Sequence, residues 1–99
     1  MSIVEQNKDK VIALCDEHMV ETLFVFGSVL GNQFNEASDI DFVVDFKDVE
    51  LYDYADNYFD FKDGLENLFD RPVDLLEERA IKNPILKHSI DTSKVLIYG

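Results

Sequence analysis

Two runs in this chain are dense in β-branched and aromatic residues and too short for buried helices: TLFVFG at residues 22–27 and DIDFVVDF at residues 39–46. Such side chains fit a pleated, half-buried surface, and a glycine closes the first run. Both read as strands of one sheet. A third apolar run, PVDLLE (72–77), opens with proline, which a strand tolerates at its first residue. KVLIYG (94–99) reads as a fourth.

The segments between them carry a different period. Residues 51–69 place Tyr54, Tyr58, Phe61, Leu65 and Leu68 at steps of four and three with acids opposite, which predicts an amphipathic helix. Val4, Val11, Leu14, Cys15 and His18 keep helical spacing from Ser2 to about Met19. Pro84 is placed to open a short helix reaching about Ile90. Residues 28–38 are expected to form a short helix or turn plus a loop. Strands alternating with helices predict an α/β fold: a single mixed sheet of about four strands with helices packed against it. The chain has 99 residues, without repeat or linker, and is expected to be one domain.

Charge narrows the function. Nine basic against 21 acidic residues give a formal charge of -12. A nucleic-acid binder gains affinity by neutralising phosphates with Lys and Arg, so direct nucleic-acid binding is not expected. Cations or a basic partner suit the charge better. No apolar run has the length of a membrane span, and the first residues lack the order of a secretion signal. A lone cysteine, Cys15, fits a reducing cytoplasm and reads as core filler. His18 reads as a packed, half-buried histidine and His88 as structural. Tyr52 and Phe59 fall off the helix's apolar stripe, marking either a partner surface or a contact with the sheet edge.

Chemistry concentrates between and just beyond the first two strands, in GSVLGNQFNEASDID at residues 27–41. Residues i and i+2 of a strand face the same way, so Asp39 and Asp41 project together while Ile40, Phe42 and Val44 face the core. Two carboxylates about 7 Å apart repel by roughly 2 kcal/mol at an effective dielectric near 20. A hard divalent cation relieves that repulsion, and Mg²⁺ typically uses one or two carboxylates plus substrate phosphates. Asp74, between Val73 and Leu75, is a third candidate, expected to be buried; neighbouring strands would bring all three carboxylates together. Gly27 allows a sharp turn and close approach of a ligand to the backbone. Ser28 then offers a hydroxyl and an N–H to a phosphate.

Gly27-Ser28, ten residues, Asp39-Ile40-Asp41, an apolar strand and a distant Val73-Asp74-Leu75-Leu76 together resemble the minimal nucleotidyltransferase family. These are small members of the DNA polymerase β-type superfamily, and the resemblance runs over essentially the whole chain. It implies a polymerase β palm-like fold, with Gly27 and Ser28 on the triphosphate of an NTP, ATP in the first instance. It also implies Asp39, Asp41 and Asp74 as catalytic and metal-binding residues, holding two Mg²⁺ ions. The chain departs from the pattern at Gly31, where many relatives carry arginine; Lys47, just past the second strand, could substitute but reads as a solvated lysine.

The resemblance further implies a cytoplasmic antitoxin that transfers AMP to a tyrosine hydroxyl of a HEPN-type toxin. Two other readings stand beside it: a non-catalytic antitoxin that masks its partner by binding, and a small-molecule nucleotidyltransferase, which normally needs a longer chain.

Overall fold

The computed structural model describes residues 2–27 and 38–99. Helices α1 (Ser2–Gln6) and α2 (Lys8–Glu17) lead into β1 (Val20–Phe26); β2 (Ile40–Phe46) follows. Helix α3 (Leu51–Phe69) then leads to β3 (Val73–Glu77). A 3₁₀ turn (Glu78–Ala80), α4 (Pro84–Ser93) and β4 (Val95–Tyr98) complete the order. All predicted elements within the described residues are present. The predicted first helix is divided at Asn7, whose side-chain amide donates to the Ile3 carbonyl at 2.9 Å. Asparagine competes for backbone groups in this way, interrupting the helix without changing its apolar period. The last helix runs three residues beyond Ile90, to Ser93. Asn83 caps its start, accepting from the N–H groups of Ile85 and Leu86.

The sheet order is β3-β2-β1-β4. β1 is antiparallel to β2 and to β4, whereas β2 and β3 run parallel, so the sheet is mixed. Parallel neighbours require a crossover, and α3 supplies it. One sheet face carries Leu23, Val25, Phe42, Val44, Phe46 and Leu75 into the core beneath α2 and α3. Phe61 and Leu65 of α3 and Cys15 of α2 are completely buried there. Phe46 meets the rings of Phe61 and Tyr54 edge-on, at 5.9 and 5.8 Å between centroids. Burying one such side chain contributes roughly 1.5–3 kcal/mol, so this face fixes the strand register against α3. His18 is half-buried, with Nδ1 2.9 Å from the Leu14 carbonyl and its ring beside Phe61. His88 is exposed. Among the described residues no helix is long and apolar enough to cross a membrane.

Candidate active site

The second sheet face is where the acids gather. Because β2 and β3 are parallel and paired Ile40 to Val73, Asp41 lies directly beside Asp74. On its other side Asp41 pairs with Phe26, the last residue of β1. Asp39 stands two residues before Asp41, at the mouth of the same strand. The structure thus brings Gly27, Asp39, Asp41 and Asp74 to one end of the sheet. Ser28 and Gly31 lie outside the described residues.

Gly27 has a φ of 80°, in the left-handed region that favours glycine. A Cβ placed there would overlap the Asp41 carboxylate oxygen. Glycine is therefore required twice at this turn, by the backbone and by the carboxylate packed against it. The expectation from sequence was conformational freedom and ligand approach; the occupied neighbour is Asp41 itself.

Asp41 is half-buried, and its acidity reflects the surroundings: desolvation first, then the charges of Asp74 and Asp39, hold its pKa above the ordinary 3.8. All three contributions favour the neutral form. Adjacent strands lie about 4.8 Å apart, so two ionised carboxylates side by side repel by about 3 kcal/mol at an effective dielectric near 20. Water screens part of this, because Asp74 is exposed and not buried as expected. The reason is the pleat: Val73 and Leu75 point into the core, and Asp74 between them must point out. An apolar context in the sequence did not mean an apolar environment for that side chain.

Among the described residues, no three Asp, Glu, His or Cys side chains are close enough to form a closed metal-ligating group. The three carboxylates share a sheet end and interact electrostatically. Carboxylate oxygens are the kind of donor a hard divalent cation takes, and Mg²⁺ typically uses only one or two of them with substrate phosphates.

Lys47 follows the last residue of β2, six residues from Asp41 and therefore about 20 Å away along the strand. It stands at the opposite end of β2 from the acidic cluster. With Glu21, Asp45, Phe46, Asp48 and Arg79 it lines an open depression of about 390 Å³ at the far end of β2. There the Arg79 guanidinium is already bonded to Asp45 at 2.8 Å and to the Phe46 carbonyl at 3.0 Å. That depression is remote from the acidic cluster.

Sequence reasoning passed over the residues that hold the acidic segments in place. Arg71 Nη1 donates to the Ser38 carbonyl at 3.2 Å, next to Asp39. Glu66 Oε2 accepts from the Val73 N–H at 3.0 Å, next to Asp74. Tyr58 donates to the Leu75 carbonyl at 2.6 Å, on the other side of Asp74. The available signal was an arginine directly ahead of the Pro-Val-Asp strand; Glu66 and Tyr58 were hidden among other helix residues.

A small mixed sheet with helices on its core face and carboxylates on adjacent strand ends, beside a glycine turn, is the framework of a nucleotidyl-transferring enzyme. Residues 9–99 match the family model described as "Polymerase beta, Nucleotidyltransferase", and the chain belongs to that family. Over 84 residues it is 37% identical to the Methanocaldococcus jannaschii protein named "Putative protein adenylyltransferase MJ0128", covering 85% of this chain and 83% of that one. Its fold superimposes on a solved structure described as a "putative minimal nucleotidyltransferase" with a TM-score of 0.76 and 27% identity, over 93% of this chain and 90% of the other. A third match, with a TM-score of 0.67 and 22% identity, covers 96% of this chain and 71% of its counterpart. It comes from a solved complex of a tri-AMPylated Shewanella oneidensis HEPN toxin with its MNT antitoxin.

Proposed function

We propose that this nucleotidyltransferase moves AMP from ATP to a tyrosine hydroxyl of a HEPN-type toxin, and so acts as its cytoplasmic antitoxin. The observation that carries the reading is the lateral pairing of Asp41 with Asp74, with Asp39 at the same strand mouth. A relative named as a protein adenylyltransferase supports a protein acceptor, and a like fold solved with an AMPylated HEPN toxin supports that partner. The charge of -12 argues against a nucleic-acid acceptor.

In the reaction the acceptor oxygen forms a bond to the α-phosphorus of ATP, the bond to the bridging oxygen breaks, and pyrophosphate leaves. Asp39, Asp41 and Asp74 would hold two Mg²⁺ ions, which supply neutralisation of the triphosphate and acidification of the acceptor hydroxyl. Asp41, half-buried between Phe26 and Asp74, would take the nucleotide side of the site. Asp74, exposed on the edge strand, faces the side from which a macromolecular hydroxyl can arrive and lose its proton. The Gly27 turn keeps side-chain bulk away from Asp41. Ser28 would offer its N–H and hydroxyl to the triphosphate.

The test combines transfer with binding. Incubation with ATP, Mg²⁺ and the product of the neighbouring gene should, where that product is a HEPN-type toxin, add AMP to its tyrosine, read by intact-mass and peptide mass spectrometry. Asp74→Asn should retain nucleotide binding within about tenfold, roughly 1.4 kcal/mol. Transfer should fall at least a hundredfold, about 2.7 kcal/mol of barrier. Efficient labelling of RNA or DNA ends with the partner untouched would overturn the reading. So would full antitoxicity of a folded Asp74→Asn protein at normal levels, since that outcome belongs to masking by binding alone.

A further inference from the structure

Asp39 lies before the first residue of β2, so the strand ladder does not hold it. Its backbone is instead bracketed. Before it, the Ser38 carbonyl accepts from Arg71 Nη1 at 3.2 Å; after it, the Ile40 N–H donates to the Pro72 carbonyl at 3.3 Å. Both contacts come from two consecutive residues, 71 and 72. That pair is itself fastened to the end of α3. Asp70 turns the chain there with a φ of 52°, and the Arg71 N–H donates to the Glu66 carbonyl at 3.4 Å. The Glu66 carboxylate reaches forward to the Val73 N–H at 3.0 Å. The segment fixed by Glu66 therefore leads straight into Asp74 on one side and grips the flanks of Asp39 on the other.

We propose that Arg71 and Glu66 are positioning residues that set the spacing between Asp39 and the Asp41–Asp74 pair. The inference rests on the reading that these three carboxylates bind the divalent cation. Arg71 acts through the Ser38 carbonyl and Glu66 through the backbone of Val73; neither touches a reacting atom. A guanidinium bonded to the residue next to Asp39 also has an electrostatic effect, and its sign separates the two roles. Acting through charge alone, Arg71 repels an incoming cation, and its loss tightens cation binding. Acting as a clamp, it keeps a ligand in place, and its loss weakens binding.

The experiment measures Mn²⁺ affinity of the folded full chain without nucleotide, by the electron paramagnetic resonance signal of free Mn²⁺. Residues that orient metal ligands typically contribute 10- to 100-fold in affinity, and Arg71→Met should weaken Mn²⁺ binding by about tenfold. Arg71→Lys, which keeps a donor able to reach the Ser38 carbonyl, should recover part of the loss. Glu66→Leu should weaken binding similarly, whereas Glu66→Gln, which retains an acceptor for the Val73 N–H, should stay near wild type. The Glu66 pair tests the same clamp if Arg71→Met does not fold. Binding lost in Asp39→Asn but unchanged or tightened in both Arg71→Met and Glu66→Leu overturns the clamp alone. No Mn²⁺ binding by the wild-type chain overturns the clamp together with the metal reading beneath it.

Discussion

At Asp41, burial and two neighbouring charges act in the same direction. Desolvation, Asp74 and Asp39 together hold its pKa above 3.8, so the folded chain keeps this proton at pH values where the unfolded chain has released it. Between 3.8 and the raised value the native state binds more protons, and stability falls as pH rises. Above that window the deficit is complete and constant. Asp41→Asn keeps the shape beside Gly27 and removes the charge. In the presence of a chelator it should therefore raise the melting temperature at pH 7, and the gain should shrink to nothing below about pH 3.8. Thermal melts across that range read the effect directly. A lower melting temperature at neutral pH would mean that the carboxylate is a stabilising group and that the cluster has been misjudged. The residue scale is also where sequence reading was least complete. Identity and spacing picked out Asp39, Asp41 and Asp74, because a strand's period of two is a local property. Exposure of Asp74 follows from that same period, which its apolar neighbours obscured; the Gly27–Asp41 contact depends on which strands are neighbours, and no local pattern carries that.

The elements were far more legible than their side chains. Helix α3 occupies residues 51–69, as its apolar steps predict, because one long stripe must cover one sheet face. The fracture at Asn7 left no trace in the pattern, since a side chain bonding its own backbone does not alter apolar spacing. What α3 does for the site was not legible either. Two of its tyrosines reach the edge strand: Tyr58 to the Leu75 carbonyl at 2.6 Å and Tyr54 to Glu77 at 2.9 Å. Burial and the Glu77 carboxylate push the Tyr54 phenol up to about 12, so it remains a donor throughout the physiological range. Among the described residues β3 has a strand neighbour on one side only, and Tyr58 holds it from the helix. Tyr58→Phe removes that donor while keeping the ring, and should cost about 1 kcal/mol. For a chain of this size that is a loss of roughly 4–8 °C in melting temperature. Hydrogen exchange should accelerate in β3 more than in β1. An unchanged melt and unchanged exchange would show that the sheet, and not α3, holds β3 in register.

On the scale of the whole molecule, a charge of -12 sits on a small sheet whose acidic end is proposed to bind Mg²⁺ and ATP. Ligand bound only by the native state stabilises it by about 2.7 kcal/mol at a hundredfold excess over the dissociation constant. A domain near this size should then melt about 10 °C higher or more. Two effects could imitate this result. Any added salt screens the repulsion among 21 acids, and any cation does so more strongly if divalent. Ionic strength is therefore matched with NaCl, and Ca²⁺ without nucleotide gives the non-specific divalent effect. Beyond those controls, Mg²⁺ alone should recover a small part of the shift, because relieving the cluster around Asp41 does not require the nucleotide. Mg²⁺ with ATP should give the full shift, and ATP with chelator almost none, since a triphosphate brought without its cation is repelled by the carboxylates. The double variant Asp39→Asn, Asp41→Asn should begin from a higher melting temperature and lose the Mg²⁺-ATP increment altogether. If the double variant keeps the increment, the nucleotide binds elsewhere on the chain. If wild-type melts superimpose with and without millimolar Mg²⁺-ATP, these carboxylates do not form a nucleotide site.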